Sequence, residues 1–515
     1  MADGVIAHED IPETLNLASW FLDRNVERGD GGRVALYADR PVTYDELARL
    51  TNRVGNALLD LDVRPDDRVL LALGDGPEFV ASWFGALKIG AVVAEVYTFL
   101  REKDYRYYLE YGRPRVVIVD ASTVETIERA SSGIQYPPRL LVVGDTFDAA
   151  VASASDRLEP FPTGRDGVAL WKFTTGSTGA PKAVCHLAHD PVVSFENFAV
   201  DVVGYRAEDV VLPVPKLFFG YARDATCLFT FGVGAAGVVF RERSTPELLF
   251  DLIERHRPTI MVQVPTMMRA MLDAPGAGER DLSSLRLCLS SGEALPADVH
   301  RRWLDTYGVE VLEGIGSSEL YHIYISNRPG RVRPGSVGEL VPGYEARLLD
   351  ADGEPVPEGE PGELWAGGES AGVLYWGDHV RSKRTFHGDL VRTGDLFVRD
   401  RDGFFWYRGR ADDLLKVGGI WVAPLEIENC LDRHPAVAEC LVGGIEDEGL
   451  VVPCAWVVLR DGDGSDDLAA ALQAYVRQEL SPHKYPRVVR FVDDLPKTAT
   501  GKLDRKALRA EVVAE

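Results

Sequence analysis

Phe173-Thr174-Thr175-Gly176-Ser177-Thr178-Gly179-Ala180-Pro181-Lys182-Ala183 is the stretch on which the reading of this chain turns. Hydroxyl side chains and two glycines lead to a lysine, directly after the apolar, strand-like run Val168-Ala169-Leu170-Trp171. Backbone N–H groups freed by glycine, hydroxyl donors and one ammonium together suit a polyphosphate. The common phosphate loop, G-x-x-x-x-G-K-[ST] opening a helix, is not met, because Pro181 precedes the lysine and Ala183 follows it. A turn rich in Gly, Ser and Thr is by itself an ordinary loop; the spacing T-T-G-S-T-G-x-P-K is far more specific.

Around this stretch the first half of the chain alternates helical and strand-like segments. Tyr44 begins an amphipathic helix reaching Leu61, Arg68 to Leu73 has a buried-strand pattern, and Pro77 to Ile89 is helical again. Further buried strands are expected at Arg115–Asp120, Arg139–Val143, Val210–Pro213, Thr259–Val262 and Leu285–Leu289. Short apolar runs between helices predict parallel sheets covered on both faces. From around residue 335 the texture changes to short strands with turn signals (Asp352-Gly353, Glu358-Gly359, Pro361-Gly362, Asp402-Gly403). A compact α+β pattern follows, ending in a polar helix from Asp504 to Val513. The expected class is therefore α/β. A large N-terminal domain of parallel sheets flanked by helices (1–410, with a small β-rich subdomain at 335–410) precedes a small α+β domain (411–515).

At 515 residues the chain exceeds one core, since domains average about 150 residues. No apolar run approaches the ~18 residues of a membrane span. The first residues are acidic and polar and read as neither signal nor transit peptide. The six cysteines are scattered without C-x-x-C or a neighbouring histidine pair, which argues against zinc and a disulfide framework. A reducing cytoplasm is the expected compartment. A net charge of −24 opposes non-specific binding to nucleic acid or anionic membrane. An anionic nucleotide must then be held by local groups against the overall field.

The T-T-G-S-T-G-x-P-K spacing resembles the phosphate-gripping loop of the adenylate-forming enzymes: acyl-CoA synthetases, peptide-synthetase adenylation domains and luciferases. Other motifs match in the same order across nearly the whole chain. Ser291-Gly292-Glu293-Ala294-Leu295 resembles the segment beside the adenine. Glu313-Gly314-Ile315-Gly316-Ser317-Ser318-Glu319 resembles D-G-x-G-x-T-E, whose backbone packs on adenine. The resemblance implies that Ser318 contacts the α-phosphate and that Glu319 helps hold Mg²⁺. In Arg392-Thr393-Gly394-Asp395 it implies that Asp395 accepts both ribose hydroxyls, a task suited to a carboxylate, with Arg410 assisting. Lys502, in Pro496-Lys497-Thr498-Ala499-Thr500-Gly501-Lys502, matches the lysine that bridges the substrate carboxylate and the phosphate. Resemblance also implies that the C-terminal domain is mobile and rotates about Asp412. In Lys416-Val417-Gly418-Gly419-Ile420, Gly419 matches the glycine lining the pantetheine tunnel, while Gly418 stands where serine is common.

Within that family the chain is most similar to benzoate-CoA ligases and their aryl relatives, through Lys216-Leu217-Phe218-Phe219-Gly220-Tyr221, Leu320-Tyr321-His322-Ile323, Tyr375-Trp376-Gly377 and Lys484-Tyr485-Pro486-Arg487. An aryl pocket needs flat apolar walls and a few directed polar groups, for which Phe219, Gly220, Tyr221, Gly316, His322 and Ile323 are candidates. Two departures stand out. Ala222-Arg223-Asp224-Ala225 replaces Gly-Leu-Gly-Asn, and Ala94-Glu95-Val96-Tyr97 replaces Val-Pro-Val-Asn. One account is an Arg223–Asp224 or Arg223–Glu95 ion pair that only reshapes a helix start. The other is recognition of an amino or hydroxyl group on the ring by Arg223 and Asp224.

The implied activity is ATP-dependent formation of an aryl-adenylate and then of a CoA thioester. Transfer to a carrier-protein pantetheine or another nucleophile stays open, and a non-catalytic binding homologue is a further alternative. Dimers are common in the resembling group, so a homodimer is one expectation; no stripe in the sequence identifies an interface.

Overall fold

Apolar runs too short for helices and too continuous for a half-exposed surface condense, in this computed structural model, into sheets buried on both faces. The structure describes residues 5–174, 180–417, 420–447, 450–480, 484–496 and 507. Thr175, Gly176, Ser177, Thr178 and Gly179, Gly418 and Gly419, Lys502 and, apart from Ala507, the expected helix Asp504 to Val513 lie outside the described residues. The chain divides into two compact units, Met1–Glu345 with Ala366–Val391, and Ala346–Trp365 with Arg392–Glu515.

The first unit holds a seven-stranded and a nine-stranded sheet. In the seven-stranded sheet, Val168–Thr174, Val92–Glu95, Arg68–Ala72, Val116–Val119 and Arg139–Val142 run parallel, and Lys182–Leu187 and Leu374–Tyr375 add antiparallel strands at one edge. In the nine-stranded sheet the parallel centre includes Val210–Pro213, Ile260–Gln263, Leu287–Ser290 and Val311–Gly316, followed by antiparallel Ile323–Ser326. The helices match the sequence pattern closely. Tyr44–Asp60 starts at a capping box in which the Thr43 hydroxyl accepts from Glu46 N and the Glu46 carboxylate accepts from Thr43 N. Pro77–Lys88 opens with proline at its first turn.

Strand Leu390–Arg399, which enters the second unit at Arg392, pairs antiparallel there with Phe405–Arg410, with Asp395 opposite Arg410. A three-stranded sheet of Val437–Asp447, Leu450–Leu459 and Val488–Phe491 follows, and helices Pro424–Leu431 and Asp466–Glu479 contribute to its core with Ile427, Leu431, Leu472 and Val476. All six cysteines are buried and free. Among the described residues no helix is long and apolar enough to cross a membrane.

In open α/β sheets, loops at the carboxyl ends of the strands carry ligands. Here those loops follow Thr174, Glu95, Pro213, Ser290 and Gly316, which are the segments singled out from the sequence. The scaffold that aims them is apolar: Leu71, wholly buried on a central strand, pairs with Glu95 and Ile118. Leu71→Ala is expected to cost about 2–5 kcal/mol, read as a lower urea midpoint by tryptophan fluorescence.

Candidate active site

The strands flanking the hydroxyl- and glycine-rich stretch pair antiparallel: Thr174 lies opposite Lys182, and Phe173 opposite Ala183. The stretch therefore links strand to strand, which is why Pro181 and Ala183 replace the residues a helix start requires. Tyrosines of helix Glu102–Gly112 brace its exit. Tyr107 Oη donates to the Pro181 carbonyl at 2.7 Å, and Ala183 N donates to Tyr111 Oη at 3.3 Å.

Lys182 Nζ lies 3.9 Å from the centroid of the Tyr375 ring, and Tyr375 Oη donates to Glu319 Oε1 at 2.6 Å. One tyrosine thereby joins the loop lysine to the acidic residue of the distant Glu313–Glu319 motif. Glu319 sits in the short turn Ser318–Leu320, which Ser317 caps through its hydroxyl. The carbonyls of this turn are all engaged. His186 Nε2–H donates to Ser318 O at 2.7 Å, Gly372 N to Glu319 O at 2.8 Å, and Ser370 Oγ to Leu320 O at 3.0 Å. The Tyr321 carbonyl accepts from Lys172 Nζ at 2.6 Å. Tyr321 itself has φ +72° and ψ −61°, and His322 N closes a three-residue turn onto Leu320 O at 3.0 Å. That is the rare hand of the γ-turn, a conformation costing about 1–3 kcal/mol that surrounding bonds must offset.

Lys172, Arg223, Asp224 and Glu95 form a buried network of two cations and two anions. Lys172 Nζ donates to Asp224 Oδ2 at 2.6 Å, and Arg223 donates to Asp224 Oδ1 through Nε at 3.0 Å and Nη2 at 2.8 Å. Arg223 Nη1 also bonds Glu95 Oε1, and the guanidinium lies 4.8 Å from the Trp83 ring centroid. Burial alone would push the Asp224 carboxyl up, yet Arg223 and Lys172 hold it down at about 2. Both sequence accounts of these departures thus meet a definite geometry. Arg223 pairs with Asp224 and with Glu95, and both Asp224 oxygens are occupied by protein cations. Buried charges without such partners would be costly.

The candidate aryl walls are close by. Phe219 packs at a tilt against Tyr97 with centroids 5.1 Å apart, and His322 packs among Phe198, Tyr221 and Phe229 at 5.5, 5.6 and 4.8 Å. Burial lowers the His322 pKa to about 4, so the ring is neutral at pH 7. Its Nε2–H donates to the Tyr221 carbonyl at 3.2 Å, leaving Nδ1 as a buried acceptor with no partner among the described residues. Gly316 lacks a side chain for a clear reason: a Cβ there would lie 2.5 Å from the His322 carbonyl. Ile323 is buried and opens the strand that pairs with Gly314-Ile315-Gly316.

At the expected adenine segment Ser291 is buried, Gly292 has φ +92°, and Glu293 accepts from Thr266 N and Oγ1. Glu313, on strand Val311–Gly316, accepts from Leu295 N at 3.0 Å, and burial pushes its carboxyl up to about 8. In the second unit Arg410 Nη1 donates to Asp395 Oδ1 at 3.2 Å and to the Thr393 carbonyl at 3.0 Å, while its Nε donates to Asp412 Oδ1 at 3.1 Å. The expected ribose carboxylate and the expected hinge residue therefore share one arginine.

Lys172, Tyr375 and His186 were not singled out from the sequence as site residues. The signal for Lys172 was present, a lone lysine inside the apolar run Val168–Phe173. Nothing local marks Tyr375 or His186, whose roles come from strand pairing.

Lys182 and Glu319 are thus joined through Tyr375, and the aromatic cluster around His322 follows within the same turn and strand. The chain belongs to the AMP-binding enzyme family, whose model matches residues 22–376; the AMP-binding enzyme C-terminal domain matches 426–502. It is 42% identical to the benzoate–CoA ligase of Thauera aromatica over 97% of both chains. Among solved structures it is similar to the anthranilate CoA ligase AuaEII in complex with anthranoyl-AMP, with TM-score 0.94, 36% identity and coverage of 98% of this chain and 99% of that one. It also matches a benzoate CoA ligase from Burkholderia xenovorans LB400, with TM-score 0.90, 37% identity and coverage of 96% and 100%.

Glu313 allows a check of this electrostatic picture. Its folded pKa of about 8 lies above the ordinary 4.5, so the native state holds the proton more tightly than the unfolded chain. Its contribution is fully present below pH 4.5 and is lost as pH rises through 8. Glu313→Gln is expected to flatten the decline in unfolding free energy across that window, measured by urea titrations at successive pH values.

Proposed function

We propose that this protein activates an aromatic carboxylic acid with ATP, forming an acyl-adenylate and pyrophosphate, and then passes the acyl group to the thiol of CoA, releasing AMP. The observation that carries the proposal is the Lys182–Tyr375–Glu319 cluster at the base of the hairpin, set in a chain that matches benzoate- and anthranilate-CoA ligases along almost its entire length. The substrate carboxylate oxygen attacks the α-phosphorus, and the bond to the bridging oxygen breaks as pyrophosphate leaves. Two anions approach each other, so the protein contributes positioning and fixed positive charge. The sulfur of CoA then attacks the acyl carbon, and the C–O bond to AMP breaks.

The hairpin Thr174–Lys182 takes the β- and γ-phosphates, with Ser318 on the α-phosphate. Ser291 to Glu293 and Glu313 to Ile315 take the adenine, Asp395 with Arg410 the ribose, and Lys502 the reacting oxygens. Asp412 serves as the hinge and Gly418-Gly419 as the pantetheine path. The residues present fit Mg²⁺: Tyr375 fixes one oxygen of Glu319 and so orients the carboxylate, and such metals are held by one or two carboxylates plus substrate phosphates. When bound, the metal neutralises charge on the phosphate oxygens.

The acid carries a hydrogen-bond donor on its ring, an amino or hydroxyl group. Arg223 and Asp224 are committed to each other and to Lys172 and Glu95, whereas the neutral His322 offers Nδ1 as a buried acceptor beside the Tyr221 wall.

Acid-dependent ATP–pyrophosphate exchange with benzoate, the aminobenzoates, the hydroxybenzoates and cinnamate tests both levels. Donor-bearing rings are expected to exceed benzoate in kcat/KM by about tenfold, the size of one buried hydrogen bond, and His322→Phe to remove that preference. A preference for benzoate that His322→Phe leaves unchanged would overturn the donor assignment. Exchange with none of these acids would overturn the aryl assignment. Lys502→Ala is expected to lower exchange by at least about 100-fold.

A further inference from the structure

We infer that Lys172 is a positioning residue for this reaction, a role that rests on the proposed adenylation. It lies on strand Val168–Thr174, two residues before the hairpin's hydroxyl run, and is 5% exposed. Its ammonium reaches two other elements at once. It donates to Asp224 Oδ2 at 2.6 Å, at the C-terminal side of the short helix Gly220–Arg223 behind the aryl wall. It also donates to Tyr321 O at 2.6 Å and rests 3.5 Å from the centroid of the Tyr321 ring. One cation therefore ties the strand that feeds the phosphate hairpin to the acid-binding helix and to the turn bearing Ser318 and Glu319.

The neighbourhood is shaped around that ammonium. A Cβ on Gly220 would lie 2.9 Å from Lys172 Nζ and 3.1 Å from its Cε, so the glycine in the aryl wall is what leaves the lysine room. The Ser318, Glu319 and Leu320 carbonyls are held by His186, Gly372 and Ser370, and Lys172 holds the fourth, on the residue with the left-handed φ. Without that donor the Tyr321 γ-turn loses the bond that favours it. Relaxation there moves Glu319 on one side and His322 on the other. Displacements of about 1 Å at such groups cost about 100-fold in rate.

A structural role competes with this one: Lys172 also neutralises the second of two buried carboxylates. The two roles separate in a pair of variants. Lys172→Met removes both the charge and the Tyr321 bond. Lys172→Met with Asp224→Asn restores neutrality, one cation against one anion, and leaves the Tyr321 carbonyl without its donor.

Wild-type exchange with an aromatic acid is measured first, and its absence counts against the adenylation itself. With active wild type, Lys172→Met is expected to lower kcat by about 30- to 100-fold at saturating ATP and acid. The double variant is expected to recover the thermal midpoint while kcat stays low. Recovery of kcat to within about threefold of wild type in the double variant would assign Lys172 to charge balance alone and overturn the inference. A Lys172→Met protein with lowered midpoint and unchanged kcat would overturn it as well. If that single variant does not fold, the double variant decides by the same kcat criterion.

Discussion

A short turn whose backbone is strained and whose carbonyls all need donors is the constraint on which the site depends. Ser318 to Tyr321 leave the end of a central strand and reverse within four residues to begin the antiparallel strand Ile323–Ser326. Such a reversal leaves carbonyls pointing away from any regular ladder, and buried carbonyls without donors are costly. The chain supplies donors from four places: a histidine on strand Lys182–Leu187, a backbone amide at Gly372, a serine at 370 and a lysine on strand Val168–Thr174. Because these donors sit on rigid strands or their flanks, Glu319 is held by the fold itself. Sites supported in this way keep the precision that charge-stabilising chemistry requires.

The same economy governs the charged groups. A protein of net charge −24 must bind an anionic nucleotide and an anionic acid, so positive charge has to be local and fixed. Yet the cations nearest the aryl wall, Lys172 and Arg223, are fully used by Asp224 and Glu95. The network is neutral as a whole, which makes burial of four charges tolerable. It replaces apolar and glycine residues found in the family pattern at Glu95, Arg223 and Asp224, all of which enter one connected cluster. Replacements at separate places in the sequence that converge on one hydrogen-bonded set are understandable only together. Each carboxylate needs the arginine, and the arginine needs both carboxylates.

Much of the fold was legible in the sequence because its strands are doubly buried and its helices amphipathic. Val210–Pro213 agrees to the residue and Tyr44–Asp60 to within one. The Thr174–Lys182 stretch and the Glu313–Glu319 segment were singled out through their spacing and order, which resemble those of the adenylate-forming enzymes. What sequence could not give was partnership. Whether Arg223 reaches Asp224, Glu95 or a ligand is decided by side-chain direction at a helix start, a three-dimensional matter. Tyr375 was quoted for its likeness to relatives, but its bridging of Lys182 and Glu319 follows from edge-strand pairing of Leu374–Tyr375 with Val184 and Cys185. The γ-turn at Tyr321 was invisible, since tyrosine is not among the residue types that favour a positive φ.

The proposed donor assignment at His322 rests on a physical basis for discriminating among acids of similar shape. An apolar slot alone separates rings differing by one small substituent by only about 10- to 200-fold. A buried acceptor that the protein leaves unpartnered changes the balance. In the proposed reading, an acid without a donor would leave the buried His322 Nδ1 unsatisfied, and that penalty would fall on the wrong substrate. Burial holds the ring neutral, and the Tyr221 carbonyl fixes which nitrogen carries the proton, so the acceptor is defined before any acid arrives. Selectivity of the proposed kind would come from an unmet hydrogen bond, while Arg223 and Asp224 are engaged in ion pairs with protein groups.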